Sequence, residues 1–492
     1  MNLTGKLLNI CFGVFFSCVI IIALGGAASA AGERVSMAPL LTGIMAAAAL
    51  ALSMGMSRLE KIFEKRFGSG TDEESKETYR KIFAVTVMVL LAVQIITAVM
   101  CGFEPINDLS YICKGAKNSI TLGADRLYEG LPERHQHYFA VYPNNHMLYC
   151  VIYILYRIEY FITGNISNIL PIAVNITGLN ISYILMYKCA KLIYAPPKAL
   201  VCAVSGLMFT PIFTYSPFFY TDSMSMPWLT GSLYLYLRWR RESESGGGRR
   251  KALVYLCACG AVLAIAYKLK GSAVIFIPAV TIDLLLRRRC SGGAVKKLAA
   301  KLFPVVILTA VFAVTCAAAG AVSRRTLKTD VGELEKYRFP LVHWVMMSAD
   351  GDGGYNLEDF QYTKSYDGYS NKVSADIERL SAKLSSQGVS GFVSHLADKI
   401  SYTWRDGSYM AGYYMKCSAF KSSAFYVITA LLNFTLLFKI LNGFLGKIKA
   451  ADDALSESFV LKIMFVGITL FLLIWEARCR YLVSFFMLFA LI

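Results

Sequence analysis

The chain has 492 residues, a net charge of +17 and 56% apolar residues, with a mean hydropathy of +0.50. That balance excludes a soluble globular protein, and apolar runs of about 17 to 25 residues recur at the length that spans a bilayer. A charge of +17 would point to nucleic acid in a soluble chain. Here most Lys and Arg sit in short loops between apolar runs, the pattern that sets membrane orientation, so no nucleic-acid partner is expected.

In chain order, spans are predicted at 7–30 and 36–56, joined by a turn with Glu33 and Arg34. The first is too long for a signal-peptide core and a second span follows at once, so it is read as a retained helix. Arg58, Lys61, Lys65, Arg66, Arg80 and Lys81 flank a polar linker and place 57–81 in the cytoplasm. Span 82–101 then leads outward to Glu104–His146, the first long polar interruption. Three apolar segments follow, 140–162, 166–187 and 199–219, before Asp222. For Asp222 to share the outer face, one of them must be broken or must not cross. Pro143, Pro171, Pro211 and Pro217 mark places for a break. Lys188, Lys191 and Lys198 put the second turn inside, which singles out 140–162.

Further spans are predicted at 252–267, 271–287, 302–322, 421–444 and 458–475. Basic loops at 238–251, at 287–301 and at Lys447 and Lys449 mark their cytoplasmic ends. Lys268, Lys270, the stretch 323–420 and Glu476 to Arg480 are then external. In 323–420, Val373, Ile377, Leu380 and Leu384, then Phe392, Leu396 and Ile400 beyond Gly388, predict two amphipathic helices on the bundle or the lipid surface. A capping loop without chemistry is the alternative. Tyr481 to Ile492 is short for a crossing and is expected to be partial or at the surface. The organisation is therefore 1–81 with two N-terminal spans, 82–322 with outer loop 102–139, an outer subdomain 323–420, and 421–492. The fold class is all-α polytopic, with about 11–13 transmembrane helices.

Asp108, just past a span, and Asp222, just before one, are candidate catalytic carboxylates. Each has a plainer reading as a helix N-cap. Glu104 is a third acid near Asp108. Lys268 and Lys270, or Arg478 and Arg480, are outer cations suited to a phosphate; contact with lipid headgroups is the plain alternative. His135, His137 and His146 do not make a zinc set, and Gly354 interrupts the calcium-loop spacing from Asp350 to Asp359, so no divalent metal is expected. Thirteen Cys are scattered without a CxxC, which points to free thiols; a pair between Cys113 and Cys417, both in polar loops, is the alternative.

Together, Asp108, Tyr138-Phe139 to Tyr142-Pro143-Asn144-Asn145, Tyr220-Thr221-Asp222 and Glu476-Ala477-Arg478-Cys479-Arg480-Tyr481 resemble GT-C fold glycosyltransferases, in the branch of protein O-mannosyltransferases and aminoarabinose transferases. His343-Trp344, Gly353-Gly354-Tyr355-Asn356 and Trp404 to Gly407 resemble the large outer loop of bacterial members. The two spans before residue 57 are additional to that pattern. The resemblance implies a plasma-membrane enzyme with an undecaprenyl-phosphate sugar donor and no metal cofactor. It also implies Asp108 as base, Asp222 as a site acid, and Glu104, Tyr142, Asn144, Asn145, Tyr220, Lys268, Lys270, Glu476, Arg478 and Arg480 around the substrates. The acceptor would be a cell-envelope glycan, a glycolipid or a protein. A flippase of lipid-linked sugars, or a scaffold that binds them without turnover, is the alternative; no repeat relates 82–240 to 252–480, as many transporters require.

Overall fold

The computed structural model describes every residue except 1–2, 33–37, 246–247, 288–292, 329–330, 416 and 450–456. The predicted turn at Glu33 and Arg34 and the basic Arg288 and Arg289 lie outside the described residues, as do the side chains of Lys447 and Lys449. Helices of seven or more residues are α1 (Leu3–Gly32), α2 (Ala38–Phe67), α3 (Glu73–Cys101), α4 (Asn107–Thr121), α5 (His146–Thr163) and α6 (Ile169–Ile193). Next come α7 (Pro196–Gly206), α8 (Thr221–Glu244), α9 (Arg249–Leu269), α10 (Phe276–Arg287) and α11 (Ala294–Leu327). The series ends with α12 (Val331–Tyr337), α13 (Leu341–Met347), α14 (Leu357–Lys364), α15 (Tyr369–Trp404), α16 (Ser423–Lys449) and α17 (Phe459–Ile474). No strand occurs among the described residues, and seven of these helices (α1, α2, α3, α6, α9, α11 and α16) are long and apolar enough to cross a bilayer. The chain is an all-α polytopic membrane protein. The remaining crossings needed to reach eleven to thirteen would fall on helices that are shorter, such as α10 and α17, or more polar, such as α8.

Two local features decide the path before Asp222. Helices α4 and α5 pair antiparallel: Tyr149 Oη donates to Ser119 Oγ at 2.9 Å, and Tyr156 meets Cys113 further along. This hairpin returns the chain to the end of the bundle where α3 stops, and α6 starts there. Segment 140–162 therefore forms one arm of a hairpin, and α5 is not among the helices long and apolar enough to cross a bilayer. Segment 199–219 is broken as well, into α7 and the short helix Pro211–Thr214. A broken backbone within a bundle needs partners for its carbonyls. Gln94 Nε2 supplies one for Ile212 O (2.6 Å), and Asn175 Nδ2 supplies Tyr215 O and Ser216 O (2.8 and 3.0 Å).

At the end carrying the basic loops, fully buried Asp283 accepts from Tyr236 Oη (2.6 Å) and faces Arg240 (3.6 Å) and Arg287 (3.3 Å). Both arginines also reach Glu457, so the ends of α8 and α10 are tied to the start of α17. The run beyond Tyr481, expected to be partial or at the surface, forms short helical turns that are buried from Leu482 to Ile492. Phe486 packs on Phe209 and Trp404, while Tyr194 and Lys439 donate to Leu491 O and Ala490 O, each at 2.7 Å. Rings and carbonyl partners hold this segment inside, where a surface helix would have neither.

The subdomain after α11 holds a long helix, α15, which breaks at Gly388 (φ 61°, ψ −178°), the position that separates the two predicted amphipathic helices. That conformation suits glycine alone, so Gly388→Ala is expected to cost about 1–3 kcal/mol, read as a lowered unfolding midpoint in detergent. Of the predicted apolar stripe, Ile400 is buried, Val373, Leu380 and Leu396 are half-buried and Ile377, Leu384 and Phe392 are exposed, while Lys372, Asp376, His395 and Lys399 are buried. Polar bonds choose the inward face: Thr363 Oγ1 donates to Asp376 Oδ1 (2.6 Å) and meets buried His343 Nδ1 (2.7 Å).

Burial pushes the His343 pKa from 6.5 down to about 3 and the Asp376 pKa from 3.8 up to about 6. Between pH 3 and 6.5 the folded state binds fewer protons than the unfolded chain at His343, so this residue alone makes stability rise with pH. Between pH 3.8 and 6 the folded state binds more at Asp376, so that residue alone makes stability fall. The slopes oppose one another. Asp376→Asn should therefore make stability climb from about pH 3 to 6.5 in thermal unfolding followed by tryptophan fluorescence, where the parent is flatter. Parallel profiles for the two proteins would count against this pairing.

Candidate functional site

The site is built where the starts of α4 and α8 meet the end of α9 and the stretch after α17. Neither candidate acid is a helix cap. Asp108 lies in the first turn of α4 behind Ile106, and Asp222 in the first turn of α8 behind Tyr220. Asn107, immediately before Asp108, has a left-handed φ of 50° that turns the chain into α4.

Asp108 is half-buried and accepts from two phenols. Tyr220 Oη donates at 3.1 Å, and Tyr138 Oη also reaches it. Tyr138 Oη in turn accepts from buried Asn145 Nδ2 at 2.7 Å. Burial and then the Asp108 charge push the Tyr138, Tyr142 and Tyr220 pKa values well above 10, so all three remain neutral donors. Asp108 therefore sits as an acceptor within a frame of phenol donors and stays partly exposed.

Asp222 is fully buried between two cations. Lys270 Nζ lies 2.5 Å from Oδ1 and Arg480 Nη1 3.4 Å from Oδ2. Burial lowers the Lys270 pKa, and Asp222 works against that shift. Lys270 Nζ also stands 3.9 Å from the centre of the Tyr481 ring. Arg480 is caged by the rings of Tyr220, Tyr414 and Tyr481, and its Nε makes no hydrogen bond. Tyr220 links the two halves, bonding Asp108 through its hydroxyl while its ring faces Arg480. With both cations protonated, Asp222 balances one charge and leaves one for an anionic group.

The rest of the motif after α17 is an ion pair of its own. Glu476 accepts from Arg478 Nε and Tyr481 Oη, both at 2.7 Å. The outer subdomain pins this stretch: buried Lys399 donates to Trp475 O (3.0 Å) and Ser348 Oγ (3.1 Å), and Ala477 N donates to Gly353 O (2.8 Å). Burial pushes the Lys399 pKa down to about 8, with Glu476 opposing. Half-buried Tyr142 packs with Trp344, Phe339 and Phe360 from the subdomain and feels both Asp108 and Glu476.

Of the predicted residues, Asp108, Asp222, Tyr142, Asn145, Tyr220, Lys270, Glu476, Arg478 and Arg480 gather in this region. Glu104 and Asn144 are exposed; Asn144 contacts only its neighbour Asn145 among the hydrogen bonds seen for its side chain. Lys268 is a correction. It turns away to α11, where its Nζ lies beside Gly320 and Arg324 rather than Asp222. Sequence reasoning missed Tyr414, the Tyr481 ring and Lys399.

The three histidines do not converge. His135 stacks on Tyr111, His137 on Tyr337, and His146 Nε2 meets Phe139 O. Asp350 and Asp359 both face Lys383, and Arg379 also reaches Asp359. Cys113 is buried beside Tyr156, whereas Cys417 lies by Cys101; the pairing considered for Cys113 and Cys417 is not formed.

No curated protein and no solved structure matches the chain. One family model does, over residues 1–492, described as "Conserved hypothetical integral membrane protein". The chain thus belongs, along its whole length, to that family of integral membrane proteins.

Proposed function

We propose that the protein is a GT-C-type glycosyltransferase of the plasma membrane, moving a sugar from a polyprenyl phosphate to a hydroxyl acceptor on the face opposite the basic loops. The observation that carries this reading is the linkage of Asp108 to the Lys270–Asp222–Arg480 cluster through Tyr220. A partly exposed carboxylate and a caged pair of cations, a phenol apart, match what this transfer needs. The acceptor oxygen attacks the anomeric carbon, its proton passes to Asp108, and the bond from that carbon to the phosphate oxygen breaks with inversion. Lys270 and Arg480 take the charge that builds on the departing prenyl phosphate. The subdomain 323–420, joined to the site through Lys399 and Tyr142, shapes the acceptor side. No metal enters the step.

Purified protein incubated with a radiolabelled prenyl-phosphate sugar and a hydroxyl acceptor tests the reading. Label appearing on the acceptor supports transfer. Label crossing sealed vesicles without chemistry would make the protein a flippase, and label that is only retained would make it a binding scaffold; either outcome overturns the transferase reading.

A further inference from the structure

The cation that left the predicted site marks a second one. Lys268 Nζ and Arg324 Nη1 lie 3.2 and 3.4 Å from the point that a Cβ on Gly320 would occupy, so the two face each other across a glycine. Neither side chain makes an ion pair or hydrogen bond among the described residues. His146 lies close enough that both cations add to the lowering of its pKa by burial, so α5 brings a neutral imidazole to the pair. Adjacent like charges at the edge of a bundle are unfavourable unless an anion stands between them.

The position names the source of that anion. From Lys301 to Arg324, α11 rises roughly 35 Å at about 1.5 Å per residue, close to the ~30 Å hydrocarbon thickness of a bilayer. Val306, Val314 and Val322 are exposed along this length, so the helix faces acyl chains. With Lys301 at one headgroup layer, Arg324 lies at the other. Gly320, with no side chain, lets both cations lie against the helix, and a Cβ there would press on them.

We infer that Lys268, Arg324 and Gly320 form a seat for the phosphate of an anionic membrane lipid in the leaflet opposite the basic loops, with its chains along α11. The seat is separate from the Asp222 cluster and does not depend on the transferase reading. Lys and Arg hold the phosphate by charge-assisted hydrogen bonds, and the glycine lets the two cations come together against the helix.

The test is native mass spectrometry of the full chain with phosphatidylglycerol, scored as retained lipid. Lys268→Gln with Arg324→Gln should cut retention at least ten-fold, whereas Lys297→Gln at the exposed basic end should not. Gly320→Asp puts a carboxylate between the cations and should abolish retention without lowering the melting temperature; it decides the matter if the double variant does not fold. Unchanged retention in these variants overturns the seat. Equal retention of phosphatidylcholine, or displacement of the lipid by inorganic phosphate, overturns its assignment to an anionic lipid.

Discussion

Asp108→Asn is expected to lower the transfer rate by about 10²–10⁴-fold, the usual contribution of a positioned general base. Asparagine keeps an acceptor oxygen for Tyr220 Oη and has the same size, and Asp108 is only half-buried, so expression and melting temperature should stay at the wild-type level. The loss should fall on kcat, because the carboxylate works in the step and does not hold the donor. Turnover at the wild-type rate would remove Asp108 as base. A matching fall in stability would make its role structural.

Asp222→Ala acts by a different route and is expected to harm the fold as well as the rate. The substitution strands Lys270 and Arg480, whose side chains are 13% and 8% exposed, without their shared carboxylate. Breaking one partner of a buried ion cluster costs about 3–5 kcal/mol, mostly from the charge left behind. Unfolding in mixed detergent micelles measures the loss. Asp222→Asn combined with Lys270→Met should recover part of it, since the two sites share one interaction. Additive losses in the double variant would contradict the ion cluster. On the proposed mechanism the roles of the two acids separate: Asp108 would take a proton, whereas Asp222 would position two cations.

Much of this site was readable because charges beside spans are rare and each needs a reason. Asp108, Asp222, Lys270, Glu476, Arg478 and Arg480 all carry that signal. Lys268 carries it equally and misleads, because it is still on α9 and turns to α11, whereas Lys270 lies past the end of that helix on extended backbone and reaches Asp222. The aromatic frame was hidden for the opposite reason: with 29 tyrosines in the chain, nothing marked Tyr138, Tyr414 or Tyr481 as hydrogen-bonding or cage residues. The α4–α5 hairpin depends on pairing between helices, which hydropathy does not record. The polar side of α15 was not legible, because its bonds to Thr363 and Ser348 are made across the subdomain.

The carboxylate cluster is proposed to work on the membrane face opposite the basic loops. Glu104→Cys, exposed on the approach to Asp108, and Arg250→Cys, exposed at the basic end, can be treated in intact cells with a membrane-impermeant thiol reagent and read by peptide mass spectrometry. Modification at 104 but not at 250 is the predicted result. Modification at 250 with protection at 104 would put the site in the cytoplasm and contradict the account.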